Sequence, residues 1–331
     1  MTATTLFLSD ADVAALADWP SCIDALRRAY SSDIPQASVP PRSMARAPGM
    51  WLRSLTAISP LDGRLGCKLI AASPRIRTAS YLISLFDPAT MNLLALIDGA
   101  RITGLRTAAT AVVALDALAP PKPLQVAVLG SGFEADTLLT ALAAARPLGP
   151  VRIFSPTRDR REAFAQRFRD SHGLDAAACD TPQGAVDGAD TVLCAARARN
   201  EVPILEAEWL SEGSTIASIG STLPEQREVA TSVVRRAHCV VADMPAEVAH
   251  DSGDMLTAAR EGIAFGEKLH SLNDLMRGLC PARASPADVV MYKSVGSALQ
   301  DVVIASLLLD RAGAAGRGTP LPATIEPILK Q

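Results

Sequence analysis

The chain has 331 residues, of which 49% are hydrophobic and 20% are charged. This length predicts two domains, and the apolar fraction excludes a disordered chain because it is sufficient for a large core. A formal net charge of −3, with lysine and arginine scattered along the chain, argues against a nucleic-acid-binding protein.

Membrane, secretion and metal-binding classes are also disfavoured. No apolar run approaches the ~18 to 20 residues that span a bilayer, so no membrane partner is expected. Residues 1–12 lack a basic segment followed by an apolar one, so we expect a cytoplasmic protein. The six cysteines and four histidines do not have the spacing of zinc ligands, and no metal site is expected.

The first third of the chain predicts a mixed α+β domain. Two short helices are expected at residues 13–19 and 21–30, separated by Pro20. Alternating apolar residues then predict the strands of an antiparallel sheet. These strands are residues 50–58, 65–72, 81–86 and 93–97.

A helix and a proline cluster follow this sheet. Thr103 is the predicted N-cap of a helix with an apolar face, which Pro120, Pro121 and Pro123 end. We place the domain boundary there. Residues 1–118 with 297–331 form the predicted α+β domain, and residues 119–296 the second domain, with a long helix at 294–310 returning to the first.

The second domain shows nearly apolar strands that alternate with helices. This pattern predicts a doubly wound parallel sheet of the Rossmann type, and thus an α/β protein. The predicted strands are residues 124–129, 151–154, 176–179, 191–195, 215–219 and 239–242.

A glycine-rich turn joins the first of these strands to a helix. The sequence Gly-Ser-Gly-Phe-Glu-Ala at residues 130–135 fits the dinucleotide fingerprint, in which glycines let the backbone approach a pyrophosphate. We therefore predict that Gly130, Ser131, Gly132, Phe133 and Glu134 bind a cofactor. The alternative is a glycine-rich turn of another α/β fold.

The end of the second strand of this domain bears on the choice of nicotinamide cofactor. An acidic residue there would accept a hydrogen bond from a ribose hydroxyl of NADH, but the sequence has Ser155, Thr157 and Arg158 instead. Hydroxyls and a guanidinium suit a 2′-phosphate, so we predict NADPH over NADH. The alternative is that the arginines only decorate a solvated helix start.

Several segments spread along the chain form a specific combination. They are PPR at residues 40–42, LGCK at 65–68, ITGLRTAA at 102–109, the glycine turn, IGSTLPEQRE at 219–228 and YKSVG at 292–296. Together they resemble the ornithine cyclodeaminase and mu-crystallin family. The resemblance implies a homodimer whose α+β domain serves substrate binding and dimerisation, and adds Thr107, Ser221 and Lys293 as cofactor contacts.

Basic residues of the first domain are the candidates for binding a carboxylate. Arg106 and Thr107 are predicted in the first turn of a helix, which attracts anions. Lys68 lies in an apolar strand, where burial would lower its pKa and suit it to proton donation or carboxylate binding. Arg42, suggested by the resemblance, and Arg53 compete for a second carboxylate contact. The alternative for Arg42 is an ordinary surface arginine, and that for Lys68 is a lysine at a sheet edge whose ammonium reaches the solvent.

One residue departs from the family pattern. Where cyclodeaminating members have a catalytic aspartate, this chain has Thr222, which is a poor base. We therefore predict NADPH-dependent reduction of a small cyclic imino acid, Δ1-pyrroline-2-carboxylate or Δ1-piperideine-2-carboxylate, with Lys68 and Thr222 as catalytic residues. The alternatives are an amino-acid or opine-type dehydrogenase, an ornithine cyclodeaminase, and a non-enzymatic NADPH and small-ligand binding protein like mu-crystallin.

Overall fold

The computed structural model describes residues 4–196 and 202–329. The chain divides into two compact units, Met1–Arg106 with Ser297–Gln331, and Thr107–Gly296. This division falls inside a helix, earlier in the chain than the proline cluster at which the sequence analysis placed the boundary. In the described parts of the chain, no helix is long and apolar enough to cross a membrane.

The first unit is built around a seven-stranded sheet of order β15-β1-β6-β5-β4-β3-β2. All neighbouring pairs are antiparallel except β1 and β6, which are parallel. The strands are β1 (Leu6–Leu8), β2 (Ser43–Ala47), β3 (Met50–Ile58), β4 (Leu65–Ser73), β5 (Thr78–Phe86), β6 (Leu93–Asp98) and β15 (Thr319–Pro320). The predicted strands are confirmed; β1, β2 and β15 are additions.

Helices α1 (Asp10–Leu16) and α11 (Ala298–Ala315) pack against this sheet, and α2 (Trp19–Ser31) packs against α11. Helix α3 (Ala100–Leu118) follows β6 in the chain. Pro20 does not separate the first two helices as predicted, because it occupies the first turn of α2, where its missing N–H costs no hydrogen bond. The break is at Asp18, whose side chain caps α2 by accepting from the Ser21 backbone N–H.

Helix α11 lies very close to strand β4. A Cβ atom added to Gly66 would be 2.4 Å from Cγ2 of Val302, a distance at which the Val302 side chain or the helix would have to move. The helix begins at Ala298, later than predicted, because Ser297 caps it by accepting from the Leu299 N–H and Gly296 adopts a positive φ of 85°. The absence of a side chain at Gly66 therefore sets how deeply α11 reaches toward the sheet.

The start of helix α3 corrects the prediction that Thr103 is its N-cap. The helix begins at Ala100, whose N–H donates to the Asp98 side chain, and the Thr103 hydroxyl donates back to the Gly99 carbonyl. Arg106 and Thr107 consequently lie in the second turn, where backbone amides are used inside the helix. They do not form the anion site of a helix N-terminus that the sequence suggested.

The second unit contains an eight-stranded sheet of order β13-β12-β14-β11-β10-β7-β8-β9, in which every pair is parallel. The strands are β7 (Leu124–Leu129), β8 (Leu148–Phe154), β9 (Ala176–Ala178), β10 (Thr191–Cys194), β11 (Thr215–Ser218), β12 (Cys239–Ala242), β13 (Leu269–Ser271) and β14 (Val290–Lys293). The predicted Rossmann-type sheet is confirmed. Strands β13 and β14 were missed.

Helices alternate with these strands along the chain. They are α4 (Phe133–Ala145), α5 (Arg158–His172), α6 (Pro182–Val186), α7 (Thr231–Arg236), α8 (Pro245–Asp251), α9 (Gly253–Arg260) and α10 (Leu272–Met276). The strand order reverses between β7 and β10, and ligands of such sheets bind beyond the carboxyl ends of the strands at this point.

Candidate functional site

The glycine turn after β7 has the geometry of a nucleotide cradle. Gly130 has a φ of 134°, and an added Cβ would lie 2.7 Å from the Ala195 carbonyl oxygen, so only glycine fits. Gly132 is the N-cap of α4, and an added Cβ there would meet nothing within 4 Å. This turn thus leaves open space in front of a helix N-terminus without a side-chain cap, as a pyrophosphate requires.

A pocket of about 500 Å³ adjoins this turn within the second unit. Its lining includes Gly130, Ser131, Gly132, Ser155, Thr157 and Arg160. The Ser131 hydroxyl donates to the Ser155 hydroxyl at 2.9 Å, which ties the glycine turn to the end of β8. Phe133 and Glu134 form the first turn of α4, with the Phe133 ring mostly exposed. The pocket therefore combines five of the eleven predicted cofactor residues.

The arginine nearest this pocket is not the one we predicted. The Arg158 guanidinium extends from the start of α5 to Glu162, at 2.7 Å, and its side chain is largely exposed. Arg160 lines the pocket instead. Arg161 is buried, and it donates to the Ser155 carbonyl and to Asp180. The helical phase of α5 decides which of three neighbouring arginines faces the pocket.

A buried charge cluster occupies the covered face of the first unit's sheet. Lys68 on β4 is 1% exposed, and its Nζ donates to Asp301 Oδ1 on α11 at 2.8 Å and to Thr103 Oγ1 on α3 at 2.6 Å. Arg106 Nε lies 3.4 Å from the same Asp301 oxygen. The sequence analysis predicted a buried Lys68 but not its counter-ion, which stabilises the ammonium charge.

Two further side chains extend this cluster. Arg106 Nη1 donates to Gln300 Oε1, and Gln300 Nε2 donates to the Tyr30 hydroxyl, both at 2.9 Å. Of the two competing arginines, Arg53 is buried, and strand register places it on the same sheet face as Lys68. Arg42 is half-buried and precedes β2. The structure thus brings Arg53, more than Arg42, to the face that holds Lys68.

The turn after β11 positions Thr222 through Gln226. The Thr222 backbone N–H donates to Gln226 Oε1 at 3.0 Å, and its hydroxyl lies 3.5 Å from the same oxygen. The Ser221 hydroxyl donates to the Gln226 carbonyl at 2.7 Å and is fully buried. Gln226 therefore fixes this turn, and the predicted contact Ser221 is engaged inside the protein.

A second buried ion pair lies beneath this turn. Lys293 Nζ donates to Asp254 Oδ2 and to the Ser218 hydroxyl, each at 2.9 Å, and both charged side chains are 0% exposed. Lys293, predicted as a cofactor contact, is thus enclosed by protein groups. Thr107, another predicted contact, is also buried.

Glu228 connects two loops at the carboxyl ends of the strands. Its carboxylate accepts from the Ala196 N–H after β10, from the Gly220 N–H after β11, and from the Ser218 hydroxyl, at 2.7 to 3.0 Å. Burial raises the pKa of the Glu228 carboxyl, against the lowering effect of Lys293. An added Cβ at Gly220 would lie 2.3 Å from this carboxylate and 2.9 Å from the Ala196 carbonyl oxygen, and the second, backbone contact favours glycine there.

Asp301, Asp254, Glu228 and Arg160 were not predicted as site residues. Asp301 had a visible signal, because it is an acidic residue within the apolar face of a long helix. No group of three or more side chains suited to holding a metal ion occurs in the parts of the chain that the structure describes.

Comparisons with known proteins give a consistent result. A model of the ornithine cyclodeaminase/mu-crystallin family matches residues 28–316. Ketimine reductase mu-crystallin of Mus musculus is 32% identical over 265 residues, which are 78% of this chain and 80% of that protein. Delta(1)-pyrroline-2-carboxylate reductase of Bacillus cereus is 27% identical over 260 residues, or 77% of this chain and 79% of the relative.

A solved structure has the same fold. The Thermococcus litoralis Delta(1)-pyrroline-2-carboxylate reductase, in complex with NADH and L-proline, superimposes with a TM-score of 0.88 and 24% sequence identity. The similarity covers 96% of this chain and all of that one. The predicted resemblance is thereby confirmed.

Proposed function

Because the chain belongs to the ornithine cyclodeaminase/mu-crystallin family, we propose that it reduces cyclic ketimine carboxylates with NADPH. The substrates would be Δ1-pyrroline-2-carboxylate and Δ1-piperideine-2-carboxylate, and the products L-proline and L-pipecolate. The chain is an oxidoreductase, given its family and its relatives. The observation that carries the proposed substrate class is the buried cluster of Lys68, Arg106 and Asp301.

The second unit supplies the features that a pyridine nucleotide needs. Gly130 and Gly132 leave room for the pyrophosphate, and the Ser155 and Thr157 hydroxyls with Arg160 line the adjoining pocket. When bound, the cofactor supplies a hydride for the C=N carbon. The chain's own groups hold the pyrophosphate at the helix N-terminus and orient the adenosine end.

The first unit supplies the features that a small carboxylate needs. Lys68 and Arg106 both pair with Asp301, and the three side chains together carry a net positive charge. A substrate carboxylate would balance that charge through charge-assisted hydrogen bonds, and Arg53 on the same face would add another donor. The arrangement binds and orients the substrate, whose ring nitrogen reacts in its protonated form.

Thr222 favours reduction over cyclodeamination. The latter needs a base near the amine, and the threonine hydroxyl is not ionised near neutral pH. Glu228, the nearest buried carboxylate in the sequence, already accepts hydrogen bonds from Ala196, Ser218 and Gly220. We propose that the Thr222 hydroxyl hydrogen-bonds to the imine nitrogen.

The function is tested by following oxidation of NADPH and NADH by the purified protein. The substrates compared would be the five- and six-membered cyclic imines, pyruvate with ammonium or methylamine, and ornithine with NAD+. We expect rapid NADPH loss with the cyclic imines alone. Amine-dependent turnover of pyruvate would favour the amino-acid dehydrogenase, and NADPH binding without turnover of any imine would contradict the proposal.

Cofactor preference provides a second test. Replacing Arg160 with alanine removes the guanidinium at the pocket, so we expect the KM for NADPH to rise about 10-fold or more while that for NADH changes little. Steady-state kinetics with both cofactors measure this. Arg167 is on the same helix as Arg160, and Arg167→Ala, which removes an ion pair with Asp136 of α4, is the matched control. A larger effect of Arg158→Ala would assign the phosphate contact to Arg158.

We also propose that the protein is a homodimer formed through the uncovered face of the first unit's sheet. Leu52, Ile58 and Leu82 lie on that face and are 47%, 42% and 37% exposed. A second copy of the same face would cover them. Beside it, a cleft of about 680 Å³ is lined by Met50 and Ile76, among others.

The oligomeric state tests this proposal. We expect a dimer by light scattering of the wild-type protein and a monomer for Leu52→Asp, because the variant would bury a charge in the interface. Leu279→Asp, at a leucine that is 63% exposed in the second unit, should remain a dimer. A Leu52→Asp variant that stays dimeric at micromolar concentration would place the interface elsewhere.

A further inference from the structure

Asp301 is a carboxylate that the sequence analysis did not predict as a site residue. It lies on α11 with 0% of its side chain exposed, and one oxygen, Oδ1, receives both Lys68 Nζ at 2.8 Å and Arg106 Nε at 3.4 Å. Its other oxygen, Oδ2, accepts no hydrogen bond within the described residues. The helix therefore carries a buried negative charge to the two cations that we assign to carboxylate binding.

The surroundings of Lys68 indicate that the Asp301 charge keeps the lysine protonated. Its charged or titratable neighbours include Asp301 on α11, Arg106 on α3 and the Tyr81 ring on β5, 5.5 Å away. Arg53 on β3 lies on the same sheet face, and Tyr30 on α2 is linked to Arg106 through Gln300. Among these groups, Asp301 carries the negative charge that contacts Lys68. The two arginines disfavour an ammonium, as does burial, so Asp301 opposes all of these effects.

The direction of the ammonium is also fixed. Thr103 donates its hydroxyl hydrogen to the Gly99 carbonyl, so its oxygen is turned to accept from Lys68 Nζ. Asp301 accepts a second hydrogen of the same group. Two of the three N–H bonds of Lys68 are thereby directed to fixed partners on two helices, which restricts where the third can point.

We propose that Asp301 is the positioning residue of this site, which keeps Lys68 charged and aimed, and that through Lys68 it sets the upper pH limit of carboxylate binding. The inference rests on the proposed function, in which Lys68 binds the substrate carboxylate. Asp301 itself contacts no substrate. Its effect is exerted through the protonation state and direction of a neighbouring side chain.

The pH dependence of kcat/KM tests the proposal. Activity that needs a charged Lys68 is lost as the pH rises through its deprotonation. In Asp301→Asn the ammonium loses its counter-ion, so we expect the alkaline limb to move about one pH unit or more toward lower pH. The ionisation of the imine substrate is the same for every variant. Asp310→Asn, which removes an exposed ion pair with Arg64 at the end of the same helix, should leave the limb unchanged.

A conservative variant guards against failure to fold. Asp301→Glu keeps the charge but displaces it, so we expect kcat/KM to fall while the alkaline limb stays near that of the wild type. An alkaline limb that is unmoved in Asp301→Asn, or one that shifts equally in Asp301→Glu, would overturn the proposal. A purely structural role predicts equal losses at all pH values.

Direct titration of Lys68 separates this inference from the proposed function. Protein labelled with ¹³C at the lysine ε-carbon would be titrated by NMR, and the resonance missing from Lys68→Met assigned to Lys68. We expect that resonance to titrate at lower pH in Asp301→Asn than in the wild type or Asp310→Asn. If imines are not reduced but this difference is found, the function fails and the pairing stands; identical titrations overturn the pairing whatever the activity.

Discussion

Replacing Lys293 with methionine is expected to lower the free energy of unfolding by about 3 to 5 kcal/mol. Lys293 and Asp254 are both 0% exposed and 2.9 Å apart, so the variant leaves a buried carboxylate without its cation. Glu228, whose pKa burial raises, loses the same stabilising neighbour. Chemical denaturation at neutral pH, with and without cofactor, measures the change.

The stability difference between Lys293→Met and the wild type should depend on pH. Burial already raises the pKa of the Glu228 carboxyl, and the loss of Lys293 removes an opposing effect, so the folded variant binds a proton more readily. Its stability deficit against the wild type should therefore shrink as the pH falls toward about 4, provided both remain folded.

A surface pair in the same unit provides the control. Lys122→Met breaks an ion pair with Asp190, in which the lysine is 54% exposed, and should cost at most about 1 kcal/mol. If Lys293→Met were as stable as Lys122→Met but bound NADPH much more weakly, Lys293 would act as the cofactor contact that the family resemblance implied.

Replacing Lys68 with methionine is expected to lower kcat/KM for the cyclic imines by ~100-fold or more. The variant loses a charge-assisted hydrogen bond to the substrate carboxylate and leaves Asp301 paired with Arg106, 3.4 Å away. The pair of Arg106 and Asp301 has no net charge with which to attract the substrate. A combined loss of about 3 kcal/mol in transition-state binding gives this factor.

Two further variants separate binding from charge balance. In Lys68→Met with Asp301→Asn, the carboxylate that lost its lysine is also removed, so part of the lost stability should recover while kcat/KM remains low. Arg101→Met, which removes an exposed ion pair between α3 and Asp10, should leave kcat/KM unchanged. Full activity in the folded single variant, measured with saturating NADPH, would remove Lys68 from the site.

The parts of the fold that the sequence predicted are those governed by local pattern. The strand of residues 50–58 was predicted with its observed bounds, because its alternation reflects one covered face. Gly130 was identified because a tight turn between a strand and a helix leaves a local signature. Strand β14 was missed because it ends in Tyr292 and Lys293, two residue types with polar groups. The sequence does not show that both are fully buried.

The parts that escaped prediction depend on contacts between distant residues. Asp301 is 233 residues from Lys68 in the chain, and Asp254 is 39 residues from Lys293. Neither pairing leaves a spacing that a single sequence reveals. Arg160, and not Arg158, lines the pocket because of the rotation of α5 about its axis. A shift of one residue in the first turn of this helix would change that rotation.

The close approach at Gly66 has a consequence for how this site can vary between species. The lack of a methyl group there lets Val302 rest against β4, and Val302 is the neighbour of Asp301 on α11. A relative that gained a side chain at position 66 would need a smaller or differently oriented side chain at 302, or its helix would carry Asp301 away from Lys68. Positions 66 and 302 should therefore be inherited as a pair, although neither takes part in the chemistry.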